Sequence, residues 1–204
     1  MDEIYRYSNF NWVIETQYDQ LDNLKKFLNK TKGVSYKKGL SSSNNSNQYW
    51  FVGYGADYSK NVSYQKITKS ISKLVKEKLI KYQLIFENIN LKPHSCWSVT
   101  GIKGSFHKVH DHGYQNSICT IIYTQVPEIM NDEEGYVYFI MSNDIRSPTY
   151  ASIPKTIALK PELGKVVIFP SHMLHGVYTY PEGVRQSFNL DFHISNKQEY
   201  YEYD

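Results

Sequence analysis

The sequence predicts a mainly β fold with supporting helices, and three observations carry that prediction. From about residue 92 onward, roughly eight short runs rich in Val, Ile, Tyr, Phe and Trp alternate with Gly, Pro, Asn and Asp, the spacing of a β-sandwich, jelly roll or barrel. The preceding region instead holds two stretches whose apolar residues recur at helical intervals. Nineteen tyrosines add a residue type that favours strands and half-wet surfaces. The simplest arrangement is a jelly roll with two helices supporting one of its sheets.

Taken in order, residues 19–28 place Leu21, Leu24, Phe27 and Leu28 on one helical face, with Asp19 as a candidate N-cap. Residues 41–47 have loop composition and 48–54 read as a strand. A longer helix follows over 63–82, where Ile67, Ile71, Leu74, Val75 and Leu79 form an apolar stripe. The strands expected beyond it are 95–101, 105–112, 117–126, 135–141, 155–159, 165–169, 176–180 and 185–193. With no internal repeat and no Pro- or Gly-rich linker, the expected organisation is a single domain over 1–204. It divides into a helix-and-strand support region (1–91), a β core (92–194) and a tail (195–204).

Composition excludes little. The hydrophobic fraction is 41 % and the charged fraction 21 %, ordinary for a globular protein. The net charge of +3 is spread along the chain, and Lys66, Lys69, Lys73, Lys76, Lys78 and Lys81 read as the solvated face of the second helix. No nucleic-acid partner is expected from it. Cys96 and Cys119 sit in apolar strand-like segments and read as buried free thiols of a reducing compartment. No leader-like opening and no run of eighteen apolar residues occurs, so a cytoplasmic enzyme without membrane contact is expected.

The chemistry gathers around histidine. In a strand, residues two apart face the same side, so His110 and His112 can reach one metal while Asp111 points away. A third donor should come from a strand folding back beside them. The segment 164–170 is a turn glycine, a buried apolar strand and a strand-ending proline, and it leads directly to His172 and His175. His175 is the better candidate, flanked by apolar residues and by Gly176, which allows close backbone approach. His172 reads as a rim residue. Imidazoles suit Fe(II), Zn, Cu or Ni alike. Structural zinc normally takes four protein ligands, so three donors with coordination positions left open point to catalysis.

Arg185 opens the last strong strand and shares a face with Ser187. A guanidinium fork beside a hydroxyl matches a carboxylate. Placed shortly after a metal ligand, the pair describes a site for a short dicarboxylate that chelates the metal at one end.

The segment 97–192 resembles the catalytic core of the iron(II)/2-oxoglutarate-dependent oxygenase superfamily, and within it the small prolyl-hydroxylase-like, phage-type members. The motifs that carry the resemblance are His110-Asp111-His112, Ile121-Ile122-Tyr123 with Pro127 beyond, Phe169-Pro170 through to His175, and Arg185-Gln186-Ser187. The resemblance implies a double-stranded β-helix (a cupin-like jelly roll) with Fe(II) held by His110, His112 and His175. It also implies that Arg185 and Ser187, with Tyr123, hold the distal carboxylate of 2-oxoglutarate. The implied reaction couples decarboxylation of 2-oxoglutarate to O2 activation. Its expected outcome is hydroxylation of an unactivated C–H of an amino-acid-type or peptidyl substrate, with release of succinate and CO2.

This sequence departs from the family pattern at His112, where the usual facial triad has a carboxylate. Two other readings follow from the same residues. One is a three-histidine cupin-type dioxygenase that uses no 2-oxoglutarate and has no need of Arg185 and Ser187. The other is a non-enzymatic jelly-roll binding module. Substrate selection is expected from the loop 141–154, from Trp97 and Tyr114, and from the N-terminal half, with Asp144 and Arg146 as candidates for a zwitterionic ligand. A homodimer is compatible with the sequence.

Overall fold

The computed structural model describes residues 2–36, 46–113, 117–127, 133–141 and 156–196. In chain order the elements are β1 (Glu3–Arg6), β2 (Trp12–Gln17), α1 (Leu21–Lys30), β3 (Val34–Tyr36), β4 (Ser46–Gly53), β5 (Ala56–Asp57) and α2 (Val62–Lys81). There follow β6 (Ile89–Ile102), β7 (His107–His110), β8 (Ile118–Gln125), β9 (Val137–Ile140), β10 (Thr156–Leu159), β11 (Lys165–Pro170), β12 (His175–Val177) and β13 (Val184–Asn196). A nine-stranded sheet has the order β1-β2-β11-β8-β13-β6-β4-β3, with β5 paired to β4. A four-stranded sheet has the order β10-β9-β12-β7. This is the helix-supported, mainly β jelly roll that the sequence predicts.

The period-two alternation of strand side chains explains how one sheet serves two layers. Along β8, Ile118 and Ile122 face the helices while Cys119, Ile121 and Tyr123 face the smaller sheet. Val166 and Ile168 of β11 go with the helices, Val167 and Phe169 with the interior between sheets. In β13 the apolar set Phe188, Leu190 and Phe192 packs under α1 and α2. The intervening residues Arg185, Ser187, Asn189 and Asp191 are buried on the opposite face. The helices cover the sheet with Leu24 and Phe27 from α1 and Ile67, Ile71, Val75 and Leu79 from α2, the stripes their spacing predicts.

Several expectations need correction. The residue before α1 is Gln20, which makes no side-chain capping bond, so Asp19 is not the N-cap. Asn61 caps α2, accepting from the Tyr64 backbone N–H at 3.0 Å. Strands β1 and β2 were not expected, yet β2 is buried over five of its six residues and pairs directly with β11. Its apolar run, Trp12 to Ile14, gives way to Glu15, Thr16 and Gln17, too short and too polar to announce a central strand. Glu15 is accommodated there by Lys165, at 2.5 Å. Strand β7 ends at His110, two residues earlier than the period-two argument assumed.

Candidate metal centre and carboxylate anchor

Strand pairing brings the histidines together. His175 on β12 is the cross-strand partner of His110 on β7 and of Phe139 on β9. His112 lies just past the end of β7, where its backbone N–H donates to the Ser171 carbonyl at 3.0 Å and so ties it to the turn after β11. One ligand atom from each of His110, His112 and His175 lies within 4.8 Å of the others. Gly176 has the close approach expected of it: a Cβ there would lie 2.5 Å from the Tyr138 hydroxyl and 2.9 Å from the His107 carbonyl. Asp111 is exposed and accepts from the Gly113 backbone N–H at 3.0 Å. His172 is exposed and bonds Asn11 at 3.1 Å.

Each imidazole engages its Nδ1. That of His110 faces the Lys108 carbonyl at 2.8 Å, and that of His175 the Met173 carbonyl at 2.9 Å. That of His112 faces both oxygens of Asp191, at 3.1 and 3.0 Å. Nδ1 therefore carries the proton in each ring, and Nε2 keeps the lone pair that a metal requires. Burial pushes the His175 pKa well below its usual value, with the neighbouring His112 and His110 adding to the effect. Burial also lowers His110. His110 and His175 are thus poised as neutral donors.

The candidate carboxylate anchor sits in the same cavity. Arg185 is 2 % exposed, its guanidinium carbon 4.7 Å from the centroid of the Tyr123 ring and 4.8 Å from that of Tyr180. Its Nη1 donates to the Tyr180 hydroxyl at 2.5 Å. Among the described residues Arg185 forms no salt bridge, and both its Nε and the Tyr123 hydroxyl are buried without a hydrogen-bond partner. A buried cation with an orphan donor is costly unless an anion completes it. Ser187 is the cross-strand partner of Tyr123 and is buried on the same face as Arg185.

The cavity measures about 800 Å³ and is lined by all three histidines, Arg185, Ser187, Asn189 and Asp191. The N-terminal half supplies one wall: Tyr36, Gln48, Trp50 and Tyr54. Trp50 stacks on Trp97 at 4.7 Å, and Trp97 in turn lies 5.5 Å from the His112 ring. Trp97 is therefore both core and cavity wall. Tyr114, Asp144, Arg146 and the rest of the loop 142–154 lie outside the described residues.

Three residues of the site escaped the sequence reading. Asp191 was legible in principle, because extending the alternation from Arg185 through Ser187 and Asn189 ends on it. Tyr180 and His107 gave no such signal. His107 stacks on Tyr180 at 6.5 Å, and burial, followed by the nearby Arg185 charge, brings its pKa down to about 3. Cys96 and Cys119 are buried free thiols, as expected. No helix among the described residues is long and apolar enough to cross a membrane.

Residues 95–191 match the family model described as "Putative 2OG-Fe(II) oxygenase". Comparison with curated proteins finds no match. Among solved structures, the fold is similar to a prolyl-4-hydroxylase of Pseudomonas putida, with a TM-score of 0.58 and 12 % identity over 88 % of this chain and 91 % of that one. It is similar to a Trichoplax adhaerens prolyl hydroxylase in complex with a hypoxia-inducible-factor peptide, with a TM-score of 0.54 and 16 % identity over 88 % and 82 %. It is also similar to HygX of Streptomyces hygroscopicus with nickel and 2-oxoglutarate bound, with a TM-score of 0.57 and 12 % identity over 88 % and 82 %. These likenesses identify the fold as the double-stranded β-helix of 2-oxoglutarate oxygenases. The family match upholds the resemblance read from the motifs and with it the class cofactors Fe(II), 2-oxoglutarate and O2. It favours that resemblance over the non-enzymatic module and the 2-oxoglutarate-independent dioxygenase.

Proposed function

Taking as premise that residues 95–191 are a 2OG-Fe(II) oxygenase module, we propose that His110, His112 and His175 hold Fe(II) and that Arg185, Ser187 and Tyr123 hold the distal carboxylate of 2-oxoglutarate. The proposed reaction hydroxylates an unactivated C–H of an amino-acid-type or peptidyl substrate, releasing succinate and CO2. The observation that carries this reading is a buried Arg185, with no salt bridge among the described residues, in the same cavity as His110, His112 and His175.

Bound Fe(II) would supply the oxidising chemistry, and the residues of this chain have distinct tasks around it. Imidazoles fixed through Nδ1 present their donors without prior rearrangement. Arg185 can donate two parallel bonds to a carboxylate, and the Tyr123 hydroxyl is available as a third donor. The two aromatic rings flanking the guanidinium keep water from competing for it. Trp50, Trp97 and the tyrosines of the N-terminal wall would shape the substrate side. Prolyl hydroxylases among the fold neighbours, one of them bound to a peptide, favour an amino-acid-type substrate. A single module over 1–204 is the organisation proposed, because the N-terminal residues line the same cavity as the motif residues.

The test is succinate formation by protein purified without air and supplied with Fe(II), 2-oxoglutarate and O2, alone and with candidate peptides. Turnover that is lost in both His175→Ala and Arg185→Ala supports the site. Succinate formed equally by both variants contradicts it.

A further inference from the structure

We infer that Asp191 is a positioning residue for the metal centre. Its carboxylate holds His112 through Nδ1 and restores, one imidazole removed, the negative charge that a carboxylate ligand supplies directly in the usual two-histidine, one-carboxylate triad. The inference rests on the proposed ligand set His110, His112 and His175.

The partners of the three imidazoles differ in kind. His110 and His175 donate to neutral backbone carbonyls, of Lys108 and Met173. His112 alone faces a carboxylate, with both Asp191 oxygens within 3.1 Å of its Nδ1. His112 also stands where the usual facial triad has a carboxylate. The residue that replaces the expected carboxylate is therefore the residue that leans on one. The Cys119 sulfur lies 3.2 Å from the same nitrogen, but a thiol is a far weaker acceptor than a carboxylate.

Backbone geometry makes the contact a built feature. Asp191 is 2 % exposed and occupies the cavity face of β13 by the same alternation that places Arg185 and Ser187. The His112 backbone is fixed separately by its bond to the Ser171 carbonyl. His112, Cys119 and Asp191 form a second cluster of potential ligands that shares His112 with the first. The imidazole thus bridges the two, with Nδ1 toward the carboxylate and Nε2 left for a metal. Fe(II) with three neutral imidazoles would carry two positive charges. Asp191 lowers that by one, as a directly bound carboxylate does, and it also makes the His112 ring a stronger donor.

The experiment is a calorimetric titration with Co(II) alone, a redox-inert stand-in, on wild type, Asp191→Asn, His112→Asp and the double variant, with circular-dichroism melts of the metal-free forms alongside. With His112 in place, Asp191→Asn should weaken Co(II) binding roughly 10–100-fold. It should also move the Fe(III)/Fe(II) couple to more positive potential, because an anion near the metal favours the ferric state. In the His112→Asp background the same substitution should cost nothing, since the carboxylate is then delivered directly and Asp191 only repels it. An unchanged affinity, or an equal loss in both backgrounds, overturns the inference, the latter marking Asp191 as a purely structural residue or as a direct ligand. If Asp191→Asn does not fold, Asp191→Ser carries the same comparison. Co(II) binding that survives His175→Ala overturns the ligand set itself. Binding lost in His175→Ala but indifferent to Asp191 overturns this inference alone.

Discussion

Replacing Tyr123 by Phe removes a buried hydroxyl that has no hydrogen-bond partner among the described residues, so it separates stability from ligand binding. An unsatisfied buried hydroxyl costs free energy in the ligand-free protein. Tyr123→Phe should therefore unfold at equal or higher denaturant concentration, a gain of up to about 1 kcal/mol, while binding 2-oxoglutarate more weakly. A structural role for the hydroxyl would show as a loss of stability. Arg185→Gln works by the same logic. It removes a buried cation that has no salt bridge among the described residues, so the ligand-free protein should keep its stability while 2-oxoglutarate affinity falls on the order of 100-fold, the loss of one or two charge-assisted bonds. At this scale the sequence was most informative: two histidines two apart, a third after Phe169-Pro170, and Arg185 with Ser187 are residue types whose chemistry shows without coordinates. Tyr180 and His107 were not legible. Their role comes from stacking beside Arg185 and from burial, and neither leaves a mark in local sequence.

Strands and their close approaches decide whether those residues meet. A Cβ at Gly176 would press on the Tyr138 hydroxyl and on the His107 carbonyl, forcing β12 away from β7 at the pair His175–His110. Gly176→Ala should cost about 1–3 kcal/mol by overpacking and should weaken Co(II) binding in the same titration. Gly101 on β6 is crowded differently, since a Cβ there runs into the ring of Tyr180, the residue whose hydroxyl receives Arg185. Gly101→Ala should weaken 2-oxoglutarate binding while leaving the affinity for metal alone near the wild-type value. Equal losses of both ligands would mean that the carboxylate anchor and the metal site do not answer to separate strands. The strands of the C-terminal half were legible because each carries a clean run or alternation bounded by turn residues. The long second helix was legible for its repeated stripe. Strands β1, β2 and β3 were not, being short and mixed in polarity, and β2 owes its place in the sheet to β11, far along the chain. That also hid the contribution of Tyr36 and Trp50 to the cavity wall.

For the molecule as a whole, burying neutral histidines makes stability depend on pH. Burial drives His175 well below its usual value, lowers His110, and brings His107 to about 3 from 6.5. Below the unfolded-state value near 6.5 the unfolded chain takes up protons that the folded chain refuses, so acid favours unfolding. Metal-free protein should therefore lose stability steadily as pH falls from about 7 toward 4, by at most about 1.4 kcal/mol per pH unit for each such histidine. Urea midpoints measured in chelator at several pH values check this, and His107→Asn should flatten the slope. A midpoint indifferent to pH over that range would mean that these rings are open to solvent. The most direct test of the site as a whole is an anaerobic titration of 2-oxoglutarate into the Fe(II)-loaded protein, followed by visible absorption. A charge-transfer band from the metal-chelated keto acid should grow to saturation in the wild type, fail to form in His175→Ala, and require a far higher 2-oxoglutarate concentration in Arg185→Ala. Iron-loaded wild-type protein that develops no band, or a band untouched by either substitution, would contradict the proposed centre.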